Sequence, residues 1–349
     1  MHIQEWDQVF QFVTDPVEDS AVPGKSVLGK TPLYASYPPS QVPTPPASDQ
    51  GSPGEANRET NTVVSVSTTF SSTANLNPLP PDLILISSDA VFFYVHSNQV
   101  LGASENGFRG LLPMKSPKAP HPALEAVGLS EDLGSVILLP ESAATLNVVL
   151  HSIYSLSCAR YSPSLDVLIA AVDALALYGV PVARHCASST PLYVLILGHA
   201  PLAPVEVYAL AAHHDLHDLA VPASAHLLGL QLWTLSDEHI VRMGPLYMRQ
   251  LFFLHLGRID ALKRLLLPPP RTHTPTAACN SAEQKRLTCA WALASAYLAW
   301  DARPDQSTGA MEATLCPLGE HLSCGICKKN LAARIKRLVV QWSDVKRTI

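Results

Sequence analysis

From Leu83 onward the chain sets short apolar runs between turn residues, then changes to a helical repeat. Leu83–Ile86 is an unbroken apolar run, the pattern of a strand buried on both faces. Ser87-Ser88-Asp89-Ala90 is a turn, and Val91–Val95 is a second run rich in aromatic and β-branched residues, so the pair predicts a β-hairpin. In Gln99–Leu112 the apolar positions Val100, Ala103, Phe108 and Leu111 predict a helix, which Gly102 and Gly107 weaken. The basic residues and prolines of 113–134 predict a loop, and Val136–Leu139 predicts a third strand.

Beyond that strand the period is helical. Ser142 caps a segment whose Leu146, Val149, Leu150 and Ile153 share one face. Ser164 caps another, with Leu165, Leu168, Ile169, Val172 and Leu175 inward and Gly179 as a stop. Pro191 and Pro204 stand where helices begin, at the first helical position, where a missing N–H costs nothing. Further helical patterns cover about 204–213, 217–230, 236–242 and 245–267. "LPPPRTHTPTAACNS" is a linker, and two last helices fall at Ala282–Asp301 and Lys328–Val345. A hairpin, a helix, a third strand and a helical tail make an α+β domain with an α-helical extension.

The stretch before Leu83 is different. Twelve of the 30 prolines lie at or before Pro81, and residues 15–80 are rich in Pro, Ser, Thr, Asn and Gly. Such a composition buries too little apolar area to offset chain entropy, so a disordered tail over 1–80 is expected. One island stands in it, at residues 5–13, where Trp6, Val9, Phe10 and Val13 fall at helical spacing. That island either packs on its own domain or docks in the groove of a partner.

Composition narrows the function classes. The chain has 349 residues, 47 % hydrophobic, with a net charge of -5. It can bury a core, and no Lys/Arg run forms a phosphate-binding stripe, so nucleic acid is not the expected partner. No apolar stretch approaches the ~18 residues of a membrane span. The N-terminus carries acids and no basic region, so a secretory signal is not expected, and the seven Cys read as reduced thiols of the cytoplasm or nucleus.

Two constellations carry candidate chemistry. In "AAHHDLHDL", His213 and His217 are four apart, a spacing at which helical imidazoles can chelate zinc, with His214 and Asp218 spaced alike. A helix end near Asp215 would break that register, and the Glu of H-E-x-x-H is missing, so a polar turn is the plainer reading. In "CPLGEHLSCGICKKN", Cys316, His321, Cys324 and Cys327 offer four soft ligands for a structural zinc. Only Cys324–Cys327 has tight knuckle spacing, and Cys279 and Cys289 lie upstream where folding could bring them in. Free thiols at a helix start and a redox C-x-x-C are the other readings. The final helix presents Ile335, Leu338, Val339 and Trp342 on one face, fit to dock on the rest of the chain. No G-x-S-x-G, G-x-G-x-x-G or P-loop occurs.

The order of these features resembles the BTB/POZ domain, most of all the BTB-domain proteins abundant in mushroom-forming fungi. Asp82 precedes "LILISSD", "VFFYVH" ends at His96, and "QVLGASENGF" supplies Ala103, Ser104 and Phe108, with one residue more than usual between the Ser and the Phe. "VILLPES", "AATLNVVLHSIYS", "VLIAAVDALALYGV" and "PVEVYALAAHHDLHDLAVPASAHLL" follow in the family's order, and the likeness covers about 82–267. It implies a small sheet flanked by helices over 81–188, a helical extension over 189–270 and C-terminal helices over 271–349. It implies a non-enzymatic protein-interaction module that self-associates or recruits partners, as an adaptor for cullin-based ubiquitin ligases or a transcriptional regulator. His96 is expected to be a buried structural residue. Ser97 stands where family members carry a cation opposite Asp82. Leu129 and Glu131 fall close to where such adaptors contact the cullin, although Ser130 and Asp132 could equally start a helix there. The alternative from another class is a metal-dependent enzyme built on His213, His214 and His217.

Overall fold

The computed structural model of the chain describes residues 65–112 and 135–349. Its four strands are β1 (Ser65–Val66), β2 (Leu83–Ile86), β3 (Val91–Val95) and β4 (Ser135–Leu138), in the sheet order β1-β3-β2-β4. The hairpin is antiparallel, with Leu83 opposite Val95 and Ile86 opposite Phe92. Its turn closes through Ala90 at a φ of 59° and the Ser87 hydroxyl, which accepts from the Val91 amide at 3.0 Å. β4 runs parallel to β2 from Ser135 opposite Leu83, one residue earlier than its apolar run suggested. All four residues of β2 are buried, and β2 lies inside the sheet between β3 and β4. Leu83 and Leu85 enter the main core, while Ile84 and Ile86 join Phe92, Tyr94 and Val136 on the other side.

Helix α1 (Ser97–Ala103) is half the length that the apolar spacing predicted. The chain then makes a compact turn in which Gly107, Phe108, Arg109 and Gly110 all have positive φ. Ser104 holds that turn. Its hydroxyl donates to the Tyr178 carbonyl at 2.6 Å and accepts from the Phe108 amide at 2.7 Å, which brings the Phe108 ring flat onto Tyr178 with centroids 4.1 Å apart. Gly179 is needed at this contact. Its φ is 67°, and a Cβ there would stand 2.4 Å from Asn106.

Helices α2 (Ala143–Ile153) and α3 (Leu165–Leu177) pack as a hairpin, capped by Ser142 and Ser164 as expected. Then come α4 (Val182–His185), α5 (Pro191–Gly198), α6 (Pro204–His213), α7 (His217–Ser224) and the long α8 (Asp237–Leu266). Gly244, at φ 69°, breaks the helical path of α8 just before Pro245, so α8 is two helical segments joined at a kink, in keeping with the two segments read from the sequence. The last elements are α9 (Ser281–Trp300), α10 (Thr308–Leu315) and α11 (Gly325–Ser343). α10 carries no strong apolar period and was not expected. Among the described residues, no helix is long and apolar enough to cross a membrane.

Two main cores result. The first unites the sheet with α2 to α7 and the first half of α8, from Phe70 to Leu254. It runs without interruption past residue 188, so the α+β region and the helices after it share their packing. The second is built from the end of α8 with α9, α10 and α11, from Leu262 to Trp342. Ile335, Leu338 and Trp342 are buried there, as the amphipathic pattern of the final helix required.

One expectation needs correction. Residues 65–80 are not part of a disordered tail. β1 pairs with β3, and Phe70 is fully buried, edge-on to the His151 and Tyr154 rings with centroids 5.2 and 5.3 Å away. Composition misleads here because one aromatic anchor and an open strand edge suffice to order a polar stretch. The 5–13 segment and the proline-rich residues before 65 lie outside the described residues, as do Leu129 and Glu131. Replacing Phe70 with Ala should cost about 3–5 kcal/mol, the range for emptying a fully buried aromatic site. Denaturant unfolding measures it, and a loss under about 1 kcal/mol would mean that the 65–80 segment does not stabilise the domain.

Candidate metal centre

The side chains of His273, Cys279, Cys324 and Cys327 converge, with their ligand atoms all within 4.8 Å of one another. They come from three places. His273 and Cys279 flank a tight turn in the linker between α8 and α9, closed by paired backbone hydrogen bonds between Thr276 and Cys279. Cys324 is the N-cap of α11, and Cys327 lies in that helix's first turn. Cys279 and Cys327 are buried members of the second core, and Cys324 and His273 are half-buried at its edge.

The geometry is close. The Cys279 and Cys327 sulfurs are 3.7 Å apart, and His273 Nε2 stands 3.3 Å from both Cys324 Sγ and Cys327 Sγ. Around one tetrahedral zinc, bond lengths of about 2.3 Å to sulfur and 2.0 Å to nitrogen give edges of about 3.8 Å for S···S and 3.5 Å for S···N. The imidazole is oriented from outside. Its Nδ1 lies 2.7 Å from the Thr274 carbonyl, which can only accept, so Nδ1 carries the proton and Nε2 presents a bare lone pair to the sulfurs. The His273 amide donates to Gln284 Oε1 at 3.0 Å, and Asn330 Nδ2 donates to the Arg271 carbonyl at 2.8 Å, so α9 and α11 both hold this loop. The cluster is a buried set of one His and three Cys that could hold a structural metal ion.

The thiols differ in acidity. The backbone amides of Cys327 and Ile326, at the positive end of α11, pull Cys324 down to about 7. Burial pushes Cys327 up to about 12 and raises Cys279 as well.

The structure brings together only half of the expected ligand set. Cys324 and Cys327 belong to the cluster, but Cys316 and His321 are exposed and stand outside it. Cys316 opens a 3-10 turn after α10, with its own side chain exposed while Leu318 of the same turn packs on the second core. Of the two upstream cysteines, Cys279 joins and Cys289 remains exposed on α9. His273 escaped notice because it sits in a proline-rich linker, about fifty residues from the knuckle it completes. The available signal was H-x5-C beside C-x2-C, visible only once the linker is known to fold back.

At the other histidines the helix ends close to Asp215 as expected, but the reading of a plain polar turn needs correction, because two of the histidines converge with a carboxylate. α6 ends at His213 and α7 starts at His217, so the two are not on one helix, and His217 is apart. His213 and His214 nevertheless meet Asp173, ligand atoms within 4.8 Å. That carboxylate is already engaged. It accepts from His214 Nε2 at 2.7 Å, and the Arg242 guanidinium spans both its oxygens at 3.1 and 2.9 Å. Both Arg242 contacts come from one nitrogen, Nη2, and its positive charge beside the carboxylate repels a metal cation.

Burial pushes the Asp173 carboxyl upward, but His214 and Arg242 outweigh it and hold its pKa below the ordinary value. A depressed carboxylate stabilises the fold above its unfolded pKa, about 3.9, and the contribution is lost as pH falls through the folded value. Asp173 is about two-fifths exposed, so screening keeps the effect small. Asp173→Asn should therefore lower the melting temperature slightly at pH 6, and by less at an acid pH below the unfolded value of about 3.9. Thermal unfolding at both pH values checks the sign. No protein-family model, no curated protein and no solved structure matches the chain.

Proposed function

We propose that the chain is a non-enzymatic protein-interaction module of BTB/POZ type, self-associating and acting as an adaptor for a cullin-based ubiquitin ligase or as a scaffold or transcriptional regulator in cytoplasm or nucleus. One observation carries the reading. The hairpin, short helix, parallel strand and helical hairpin come in the order the resemblance calls for, with its key residues at the joints. Asp82 receives the Ser97 amide at 2.7 Å and its hydroxyl at 2.5 Å, so Ser97 replaces the absent cation and the start of α1 is tied to β2. His96 is buried. Its Nε2 donates to the Leu79 carbonyl at 2.9 Å, and its Nδ1 meets Tyr154 Oη at 2.9 Å, a structural role with no open coordination. Ser104 and Phe108 lock the turn after α1 onto α3.

The surface also favours a binding role. Trp233, Phe252, Leu256 and Trp300 line one open groove, with Trp300 93 % and Trp233 81 % exposed. The alternative, a metal-dependent enzyme using His213, His214 and His217, is disfavoured by Arg242 on Asp173 and by the separation of His217.

Two measurements test the proposal on the full-length chain. Sedimentation over a range of micromolar concentrations should reveal self-association. A cullin N-terminal domain should bind the wild type and lose binding to a chain carrying Leu129→Ala with Glu131→Ala. Failure of the wild type to bind, or equal binding by both, removes the cullin role. A strictly monomeric chain that also captures no protein partner would overturn the module reading altogether.

A further inference from the structure

We propose that His273, Cys279, Cys324 and Cys327 form a closed structural zinc site that pins the α8–α9 linker to the start of α11. This stands independently of the interaction-module reading, because it concerns only how the second core is held.

The first argument is that hydrogen bonding cannot account for the convergence. With Nδ1 donating to Thr274, the imidazole has one acceptor lone pair at Nε2, yet two sulfurs stand at 3.3 Å from it. One S–H can use that lone pair and the second cannot. The Cys279 and Cys327 sulfurs face each other at 3.7 Å, where two neutral thiols gain little. A single cation at the centre satisfies all four atoms at once.

The second argument concerns which cation. Three thiolates and one imidazole are soft ligands that suit a tetrahedral zinc ion and not a hard, oxygen-seeking cation. The 3.7 Å and 3.3 Å separations match the edges of one tetrahedron to within a few tenths of an ångström. Four protein ligands leave no position for water or substrate, which makes the site structural. On binding, the three thiols release their protons to solvent, zinc forms three Zn–S bonds and one Zn–N bond, and no oxidation state changes.

The third argument is what the fold gains. The second core contains thirteen buried apolar side chains, two of which are Cys279 and Cys327 themselves. A core this small benefits from a crosslink. The ligands join two segments more than forty residues apart in sequence. The crosslink therefore restricts a long loop in the unfolded chain and sets the approach of α11 to the linker. Arg334 and Asn330, further along α11, bind linker carbonyls and continue the same seam.

The test is metal content of the full-length chain, purified under reducing conditions and measured by elemental analysis. One zinc per chain is expected, falling to near zero in Cys327→Ser and in His273→Ala, and unchanged in Cys316→Ser and His321→Ala. The ligand variants could fail to fold, so X-ray absorption at the zinc edge of the wild type gives a second reading. It should find three sulfurs at about 2.3 Å and one nitrogen at about 2.0 Å. Replacement by cobalt(II) should produce the intense visible bands of a tetrahedral thiolate site. Chelation of the ion should lower the melting temperature. A wild type that takes up no zinc even when supplied with zinc chloride overturns the proposal. So does iron in its place, a Cys279–Cys327 disulfide in the reduced preparation, or loss of zinc from Cys316→Ser or His321→Ala with retention in Cys327→Ser.

Discussion

Helix α8 runs through both main cores, and the arrangement of everything after residue 236 depends on how it does so. Its Met243, Tyr247, Leu251 and Leu254 belong to the first core, and Leu262 and Leu266 to the second. Between them sits Arg258, a buried cation 5 % exposed. A guanidinium in that position is tolerable only if its N–H groups are matched. Here Nε donates to the Pro304 carbonyl at 2.6 Å, Nη1 donates to the Val345 and Lys346 carbonyls at 2.8 Å each, and the guanidinium lies 4.3 Å from the centre of the Trp342 ring. One side chain thereby collects the loop after α9 and the chain after α11 onto the middle of α8. Burial and the nearby Arg347 lower the Arg258 pKa from its very high ordinary value. The carbonyl partners all favour the charged form.

The end of α8 poses the opposite problem, since its last carbonyls have no partners within the helix. Other elements supply the donors. Trp291 Nε1 and the Ser295 hydroxyl, both on α9, reach the Leu266 carbonyl at 3.0 and 3.2 Å. From α11, Arg334 donates to the Leu265 carbonyl and, at 2.8 Å, to that of Pro268, with its guanidinium 5.2 Å from the Trp291 ring centre. These bonds fix where the linker leaves the helix. The position of His273 and Cys279 opposite Cys324 and Cys327 follows from that exit point, so the convergence of these side chains depends on helix termination as well as on the four residues themselves.

In the first core the same logic works at the sheet. Tyr154 Oη accepts the His96 amide at 2.8 Å, and burial raises the phenol to about 12, so at neutral pH it keeps its proton and can donate to the imidazole. Through His96 and Leu79, helix α2 is linked to the polar segment before β2, next to the point where Phe70 enters the core. On the far side, Tyr178 donates to Glu141 at 2.5 Å and ties the end of α3 to the strand-to-helix corner before α2.

Local order was legible in the sequence wherever one residue type has one consequence. Ser142 and Ser164 cap helices, Pro191 and Pro204 start them, and Gly179 stops one, because each effect arises within a few residues of backbone. The hairpin was legible from its two apolar runs and turn, and the buried face of α11 from its period. What depends on distant partners was not. The polar 65–80 segment is ordered by one aromatic ring and an unpaired strand edge that lie elsewhere in the chain. α1 stops at Ala103 because Ser104 and Phe108 find Tyr178, some seventy residues away. In the candidate metal site, the tight C-x2-C spacing identified Cys324 and Cys327, since that geometry is local to a helix start. His273 and Cys279 could be distinguished from Cys316 and His321 only after α9 and α11 had folded the linker back, because which soft ligands share an ion is decided by long-range packing and not by nearness in sequence.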